Sequence, residues 1–211
     1  MVAREGRFTI LALLVLTVTT AVIGGWPAAV PVVLITLVLL YIFRDPVRQV
    51  PASPLAVVSP VDGRVVTVDE VHDPYLDRQV KRISIRINAS GSYGVRSPVE
   101  GKLLRQWLYR HNGPAEGSQP DYPHTIYTGR HFVMYLQTDE HDDVVMVVRI
   151  ASFQRPRCYV NVGERLGQGQ RCGWLLFGGA VDLLLPEWSR PAVTPGTHVS
   201  AGSVIIANLV H

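Results

Sequence analysis

Asp62, a residue that could take part in acid–base chemistry, stands in the first of two copies of one motif. Asp62 lies in Ser-Pro-Val-Asp-Gly-Arg-Val at 59–65, and Glu100 lies in Ser-Pro-Val-Glu-Gly-Lys-Leu at 97–103, 38 residues later. A carboxylate at such a place can transfer a proton in a reaction. It can also be the acidic residue that favours a turn before glycine. The sequence alone leaves both interpretations of Asp62 open.

Metal chemistry is not indicated by the cysteines and histidines. The chain has two cysteines, Cys158 and Cys172, and neither has a cluster of further ligands beside it. Four histidines also lack the short spacings that are typical of metal ligands; they are His111, His124, His131 and His141. We therefore expect no metal site, and we expect both cysteines to be reduced.

The elements that must position these residues are predicted to be strands. Runs rich in β-branched residues occur at 64–68, 82–87, 132–136 and 144–150, and the second alternates as a half-buried strand does. A second sequence repeat (the second echo below) relates Gly163, Leu166 and Gly169 to Gly196, Val199 and Gly202, 33 residues later. These paired units predict a mainly β sandwich or barrel with internal pseudo-symmetry. Biotinyl and lipoyl modules are similar, but neither repeat has their hairpin-tip lysine, so a carrier function is not expected.

A long polar stretch interrupts the strands between Tyr109 and Arg130. It is rich in Gly, Pro and His, and irregular segments of this length are usually functional or disordered. A loop near a site and a flexible excursion both remain open.

The first 43 residues are predicted to form a transmembrane or membrane-embedded helical hairpin. No charged residue occurs from Phe8 to Phe43, and Gly-Gly-Trp-Pro at 24–27 divides the stretch in two. One helix of 36 residues would be about 54 Å long, against a hydrocarbon layer of about 30 Å. A signal peptide is the alternative, but no small-residue cleavage site precedes a polar mature start.

Basic residues flank this apolar stretch on both sides. Arg4 and Arg7 precede it, and Arg44 and Arg48 follow it. Both ends are therefore expected on the cytoplasmic side of the cell membrane, with a hairpin at 1–43 and a β-rich domain at 44–211. Arg44 and Arg48 either anchor the hairpin or bind lipid phosphate. The net charge of +3 comes without a Lys/Arg run, so no nucleic-acid partner is expected.

Several segments, in order along the chain, resemble the short-form phosphatidylserine decarboxylase family. They are Phe-Arg-Asp-Pro-Val-Arg at 43–48, Val-Ser-Pro-Val-Asp-Gly at 58–63, Arg-Ser-Pro-Val-Glu-Gly at 96–101, and Phe-Gly-Gly-Ala-Val-Asp-Leu-Leu-Leu-Pro at 177–186. The resemblance implies a protein that cleaves itself at a Gly-Ser bond and converts the serine to an N-terminal pyruvoyl group. That ketone forms a Schiff base with phosphatidylserine and accepts electrons as carbon dioxide leaves, a lyase reaction of phospholipid biosynthesis.

The chain departs from the family's pattern at two places. The family's Phe-Gly-Ser is Phe177-Gly178-Gly179 here, followed by Ala180 in place of arginine, and glycine has no hydroxyl to attack a carbonyl. The family's Asp-x-His corresponds to Gly-Ser-Tyr at 91–93, so that Tyr93 replaces the imidazole. The family's later Arg-x-Pro is kept and begins at Arg96.

Other family positions are retained, and each also has a structural interpretation. Asp62 is linked in the family to self-processing, and Arg130 is what remains of an Asn-Glu-Arg element. Asp182 is expected to be structural, at the start of a strand. Gly178–Gly179, between Leu-rich strands, is predicted to form a tight hairpin turn.

The sequence therefore predicts a family member that cannot form the pyruvoyl cofactor. We expect a non-catalytic homologue that binds membrane phospholipid or pairs with an active paralogue, and a homo-oligomer stays open. Two alternatives remain, namely an active decarboxylase that uses another route and a membrane-anchored β-barrel adaptor.

Overall fold

The apolar stretch and the β-rich remainder form two compact units, Met1–Val47 and Arg48–His211, called here the hairpin unit and the β unit. The structure is a computed structural model that describes residues 3, 6–53, 55–88, 91–110, 113–114, 130–150, 157–176 and 178–210. Its elements are α1 (Arg7–Ile42), β1 (Ala56–Val58), β2 (Gly63–Asp73), β3 (Arg78–Ile87), β4 (Gly94–Arg96), β5 (Gly101–Arg110), β6 (Gly113–Pro114), β7 (His131–Gln137), β8 (Asp143–Arg149), β9 (Arg157–Cys158), β10 (Arg165–Leu166), β11 (Arg171–Trp174), β12 (Ala180–Pro186), β13 (Arg190–Pro191), β14 (His198–Val199) and β15 (Ile205–Asn208).

The helix α1 is broken at Gly25. This residue has φ 74° and ψ 175°, which glycine adopts without steric cost. The backbone N–H of Ala3 donates to the carbonyl oxygen of Phe43 at 2.7 Å, so the two ends of the segment meet and it folds back as a hairpin. The mean hydropathy of its most apolar window is 2.2, and only 6% of that window is buried. By length and composition α1 could cross a membrane, as the apolar stretch predicts.

The large sheet of the β unit is antiparallel in every described strand pair. Its strand order is β10-β5-β7-β8-β12-β3-β2-β14, with β6 paired to β5, and it curls into a half-barrel. Two small sheets, β1-β15-β13 and β4-β11-β9, complete the unit. Among the described residues no helix follows Ile42. The prediction of a mainly β fold with an N-terminal apolar helical segment is confirmed.

Apolar side chains are buried on both faces of the large sheet. The main core includes Ile85 and Leu183, together with residues of both small sheets. A smaller core on the opposite face includes Tyr75, Trp107 and Leu184. Burial on both faces explains why β8 and β12 are almost continuously apolar instead of alternating.

The two copies of the Ser-Pro-Val motif are hydrogen-bonded to each other in a pseudo-two-fold arrangement. Val58 donates its N–H to the carbonyl oxygen of Pro98 at 2.8 Å, and Arg96 donates to that of Pro60 at 2.9 Å. The second echo completes each copy, because β14 pairs with the start of β2 and β10 pairs with the start of β5. Both sequence echoes therefore correspond to equivalent structures.

Candidate functional site

Asp62 joins three separate segments of the β unit. Its Oδ2 accepts hydrogen bonds from Nη2 of Arg48 at 2.7 Å and from the backbone N–H of Ser92 at 2.8 Å. Its Oδ1 accepts one from the backbone N–H of Ala201 at 2.7 Å. Only 11% of the side chain is exposed. Charge-assisted bonds of this kind are strong, so the carboxylate is held in one position.

Asp62 and Gly179 are both hydrogen-bonded to the end of β3, one on each side of it. The N–H of Ile87 donates to the carbonyl oxygen of Gly179 at 3.0 Å, and the N–H of Asn88 donates to that of Asp62 at 3.0 Å. Residues 62 and 179, which are 117 positions apart in the sequence, thus lie on the two sides of the end of β3. These two positions of the family's site share one end of the large sheet.

The segment that follows β3 closes tightly against Asp62. A Cβ atom on Gly91 would lie 2.7 Å from the Cβ of Asp62 and 3.2 Å from the carbonyl oxygen of Asn88. No side chain fits at position 91 unless the backbone moves. Ser92, the next residue, is also buried. The family's acidic side chain therefore has no space at this position.

Tyr93 replaces the family's imidazole with a packed aromatic ring. The residue is 6% exposed, and its ring meets that of Trp174 edge-on with the centroids 5.9 Å apart. Its carbonyl oxygen accepts the N–H of Leu175 at 2.9 Å. Tyr93 thereby attaches the segment after β3 to the end of β11.

Gly178 and Gly179 both have left-handed backbone conformations, with φ of 86° and 130°. A Cβ atom on Gly179 would lie 2.7 Å from the carbonyl oxygen of Arg149 and 3.1 Å from Cδ2 of Leu175. A Cβ atom on Gly178 would meet nothing within 4 Å. Position 179 therefore requires glycine both for its backbone conformation and for its space.

The prediction that Gly178–Gly179 forms a tight hairpin turn is wrong. The flanking strands do not pair with each other, because β11 pairs with β4 and β9 whereas β12 pairs with β3 and β8. Five residues, 175–179, carry the chain from a small sheet to the large one. A tight turn needs two neighbouring strands, and these two belong to different sheets.

Three other family positions lie in the same unit. Nη1 of Arg96 donates to the carbonyl oxygen of Gly169 at 3.0 Å, within the pseudo-symmetric motif. The carbonyl oxygen of Arg130 accepts the N–H of Ile150 at 2.9 Å, just before β7. Phe177 lies outside the described residues.

Asp182 belongs to a buried network that the sequence did not indicate. It is 1% exposed, and its Oδ1 accepts hydrogen bonds from Oγ of Ser84 at 2.5 Å and from Nη2 of Arg149 at 3.1 Å. These residues come from β3, β12 and β8, which are neighbours in the sheet. The only sequence signal was the alternation at 82–87, which places residue 84 on the opposite face from its neighbours.

The two arginines proposed for lipid phosphate have partners within their own units. Arg44 lies over the ring of Tyr41, with 4.3 Å from its guanidinium carbon to the ring centroid. Arg48 forms the ion pair with Asp62. Neither of the two roles predicted for Arg48 included this bond.

An apolar cavity of about 100 Å³ borders the site. Trp174 and Leu175 line it together with both cysteines; the other lining residues are Val95, Leu108, Phe132, Met134, Val148 and Gly173. Burial raises the pKa of Cys172 to about 12 and also raises the pKa of Cys158. Both thiols are protonated at neutral pH, so neither supplies a thiolate nucleophile or ligand.

His131 and His141, the two of the four histidines that the structure describes, lie apart from each other. His131 is buried and stacks on Tyr109 at 4.7 Å between ring centroids, whereas His141 is exposed in a turn. Within the described ranges, no group of three or more His, Cys, Asp or Glu side chains could hold a metal ion. His111, His124 and most of the polar stretch from Tyr109 to Arg130 lie outside those ranges.

Comparison with known proteins gives one consistent result over almost the whole chain. The family model described as phosphatidylserine decarboxylase matches residues 35–207. The chain belongs to the phosphatidylserine decarboxylase family. It is 33% identical to a phosphatidylserine decarboxylase proenzyme of Cupriavidus metallidurans over 99% of this chain and 95% of that protein. The proenzymes of Nitrosomonas eutropha and Aromatoleum aromaticum are 36% and 37% identical, over 98% and 99% of this chain and 94% and 96% of theirs.

Membership of the phosphatidylserine decarboxylase family makes the geometry at position 179 the central feature of the site. The pyruvoyl route needs a hydroxyl next to a carbonyl carbon and a group that takes its proton. Here Asp62 is fixed across β3 from Gly179, but residue 179 has no side chain and residue 93 has no imidazole. The described residues can hold this end of the sheet rigid, and they supply no nucleophile at Gly178–Gly179.

Proposed function

We propose that this chain is a membrane-associated, non-catalytic member of the phosphatidylserine decarboxylase family. It forms no pyruvoyl group, and its β unit binds phospholipid or an active paralogue on the cytoplasmic side of the membrane. The observation that carries the proposal is Gly179, which lacks a hydroxyl and whose backbone conformation and surroundings exclude a side chain.

The hydrogen bonds of the Asp62 carboxylate support the same proposal. Three donors hold its carboxylate, and one of them is the guanidinium group of Arg48. A general base must have a lone pair directed at the proton that it removes. In this chain the carboxylate connects segments of the β unit, a structural role that persists without catalysis.

The helical hairpin supports the membrane part of the proposal. Its outward apolar side chains would be costly in water and are typical of a segment that lies in lipid. The arginines on both flanks of the stretch favour the cytoplasmic side.

A second candidate function is decarboxylation after cleavage at a different Gly-Ser bond. The bond between Gly91 and Ser92 lies against the retained carboxylate, since the Ser92 N–H donates to Oδ2 of Asp62 at 2.8 Å. Attack of the Ser92 hydroxyl on the Gly91 carbonyl carbon would move the acyl group from the Ser92 nitrogen to its oxygen and give an ester. Elimination would release residues 1–91 with a terminal carboxylate and leave dehydroalanine at residue 92. Hydrolysis by water, with loss of ammonia, would convert it to the pyruvoyl group at the start of a 120-residue fragment. A mass measurement distinguishes the two candidates, because the first predicts one uncut chain and the second predicts two fragments.

The test is intact-mass analysis of the full chain purified in detergent, combined with a liposome decarboxylation assay. We expect one uncut species near 23.3 kDa and no release of carbon dioxide from phosphatidylserine. The Cupriavidus metallidurans proenzyme, treated identically, is the positive control. A fragment with a blocked N-terminus at residue 179 would refute the proposal. One that begins at residue 92, with carbon dioxide release that carbonyl reagents abolish, would establish the second candidate.

A further inference from the structure

Three arginines lie in one row across the large sheet, at the end that contains Gly178–Gly179. Arg64 of β2 is directly opposite Arg86 of β3, Arg86 is opposite Ala180 of β12, and Ala180 is opposite Arg149 of β8. Side chains directly opposite each other in neighbouring antiparallel strands point to the same face. Arg64, Arg86 and Arg149 therefore form a single surface feature, called here the arginine row.

The row is exposed and is only partly neutralised. Arg64 and Arg86 are exposed, and 43% of the Arg149 side chain is exposed. Arg149 is bound to the buried carboxylate of Asp182. Nε of Arg64 donates to the carbonyl oxygen of Gly196, which leaves its positive charge uncompensated. Within the described part of the chain, three guanidinium groups thus share one carboxylate.

This arrangement of like charges favours the binding of an anion. Like charges directly opposite each other in a sheet destabilise the strand pair, and Arg64 opposite Arg86 is such a pair. Ala180 lies between Arg86 and Arg149 and has a short side chain. A shallow depression is therefore left between the two guanidinium groups. Neighbouring strands are about 4.8 Å apart, which places these two backbones about 10 Å from each other. A phosphate group with its oxygens can lie between arginines at that spacing.

We propose that the arginine row binds the phosphate groups of anionic membrane phospholipids. The row lies on an open sheet surface and not in a closed pocket, which suits a layer of headgroups better than one soluble metabolite. The β unit begins at Arg48, six residues after the last residue of α1, and a link of that length spans about 20 Å when extended. An apolar hairpin held in a membrane gives the β unit a high effective concentration of lipid headgroups.

This inference deepens the lipid-binding role under Proposed function and rests on it. Each basic residue near an anionic lipid surface contributes roughly 1 kcal/mol, which is about five-fold in affinity. Arg86→Gln should therefore weaken binding about five-fold, and the Arg64→Gln/Arg86→Gln variant about 25-fold. Arg86→Lys keeps the charge and should keep most of the affinity. Lys102 and Arg190 are also exposed but lie elsewhere, so Lys102→Gln/Arg190→Gln is a control with the same net charge.

The experiment is native mass spectrometry of the full chain in detergent micelles, titrated with phosphatidylglycerol or with phosphatidylcholine of the same acyl chains. We expect the wild-type chain to retain phosphatidylglycerol preferentially, and the preference to fall in the Arg64→Gln/Arg86→Gln variant alone. Arginines that flank the hairpin contribute equally to every variant, so the comparison isolates the row. Melting curves of all variants verify that the exposed substitutions leave the fold intact.

Each other outcome overturns a defined part of the reasoning. A wild-type chain that binds neither lipid refutes both this inference and the lipid-binding role. Wild-type binding that the double variant retains refutes the arginine row alone, and an equal loss in the control variant assigns the effect to overall charge. Competition by millimolar inorganic phosphate would assign the row to a soluble phosphate compound. Binding to both lipids without preference would favour an acidic protein partner for the row.

Discussion

Restoring the missing hydroxyl with Gly179→Ser should destabilise the protein before any chemistry becomes relevant. At φ 130° a residue with a Cβ atom costs about 1–3 kcal/mol in backbone strain. The new Cβ would also lie 2.7 Å from the carbonyl oxygen of Arg149, in the backbone of β8. That oxygen cannot move without disturbing the pairing of β8 with β12, and crowding of this kind adds about 1–3 kcal/mol.

The matched control for this substitution is the neighbouring Gly178→Ser. Gly178 also has positive φ, at 86°, but its Cβ would meet nothing within 4 Å. It should therefore show the backbone strain without the crowding. For a chain of this size, each kcal/mol changes the melting temperature by about 2–4 °C. The two costs add to about 2–6 kcal/mol, so we expect Gly179→Ser to melt roughly 4–24 °C below the wild type, and clearly below Gly178→Ser.

The assay is thermal unfolding in detergent, monitored by the fluorescence of buried Trp107 and Trp174, with gel analysis of the same samples for cleavage. No cleavage is expected from Gly179→Ser, because Tyr93 supplies no imidazole and no side chain fits at Gly91. If Gly179→Ser melts with the wild type, or no lower than Gly178→Ser, the argument from backbone conformation and space is refuted. Self-cleavage of the variant would refute the argument that replacement of the family's Asp-x-His by Gly-Ser-Tyr at 91–93 also prevents cleavage.

Three further predictions concern charges and thiols inside the β unit. Arg48→Ala should cost about 1–3 kcal/mol in unfolding free energy because Asp62 loses its charged partner, whereas Arg165→Ala, at an exposed ion pair, should leave chemical denaturation unchanged. Cys172 has its pKa raised from 9.0 to about 12 by burial. Its thiol therefore ionises first in the unfolded state, and stability should fall above pH 9 by about 1.4 kcal/mol per pH unit up to about pH 12; urea titrations of the wild type and Cys172→Ala should differ in that slope. Burial also raises the pKa of Asp73, so its charge opposes folding at neutral pH. Asp73→Asn should raise the melting temperature at pH 7, and the gain should shrink as the pH falls toward that pKa; a gain independent of pH would contradict this explanation.

The parts of the fold that repeat or alternate could be predicted from the sequence. The echo between residues 59–65 and 97–103 predicted the pseudo-two-fold relation because both copies make the same local contacts. In each copy the serine hydroxyl donates to the carbonyl oxygen two residues on, at 2.7 Å in Ser59 and 2.8 Å in Ser97. The apolar stretch predicted a hairpin, since Gly25 and its neighbours interrupt an otherwise uniform pattern.

The pairings between distant segments could not be predicted in the same way. Gly178–Gly179 looked like a two-residue hairpin turn because the sequence does not show which sheet each flanking strand joins. Arg48 looked like a membrane anchor because its ion pair with Asp62 depends on how the segment after the hairpin crosses the β unit. The arginine row emerges only from the register of four strands, and no spacing in the sequence relates Arg64 to Arg149. Such positions are determined by tertiary packing and not by local pattern.

The pairing of β1 with β15 also limits when the β unit can close during synthesis. Ala56 is paired with Asn208, so β1 has no partner until 152 further residues have been added to the chain. At about 5–20 residues per second, the interval is roughly 8–30 s. The hairpin unit precedes both strands in the chain and is complete throughout that time. Under the membrane role proposed above, anchoring therefore precedes closure of the β unit.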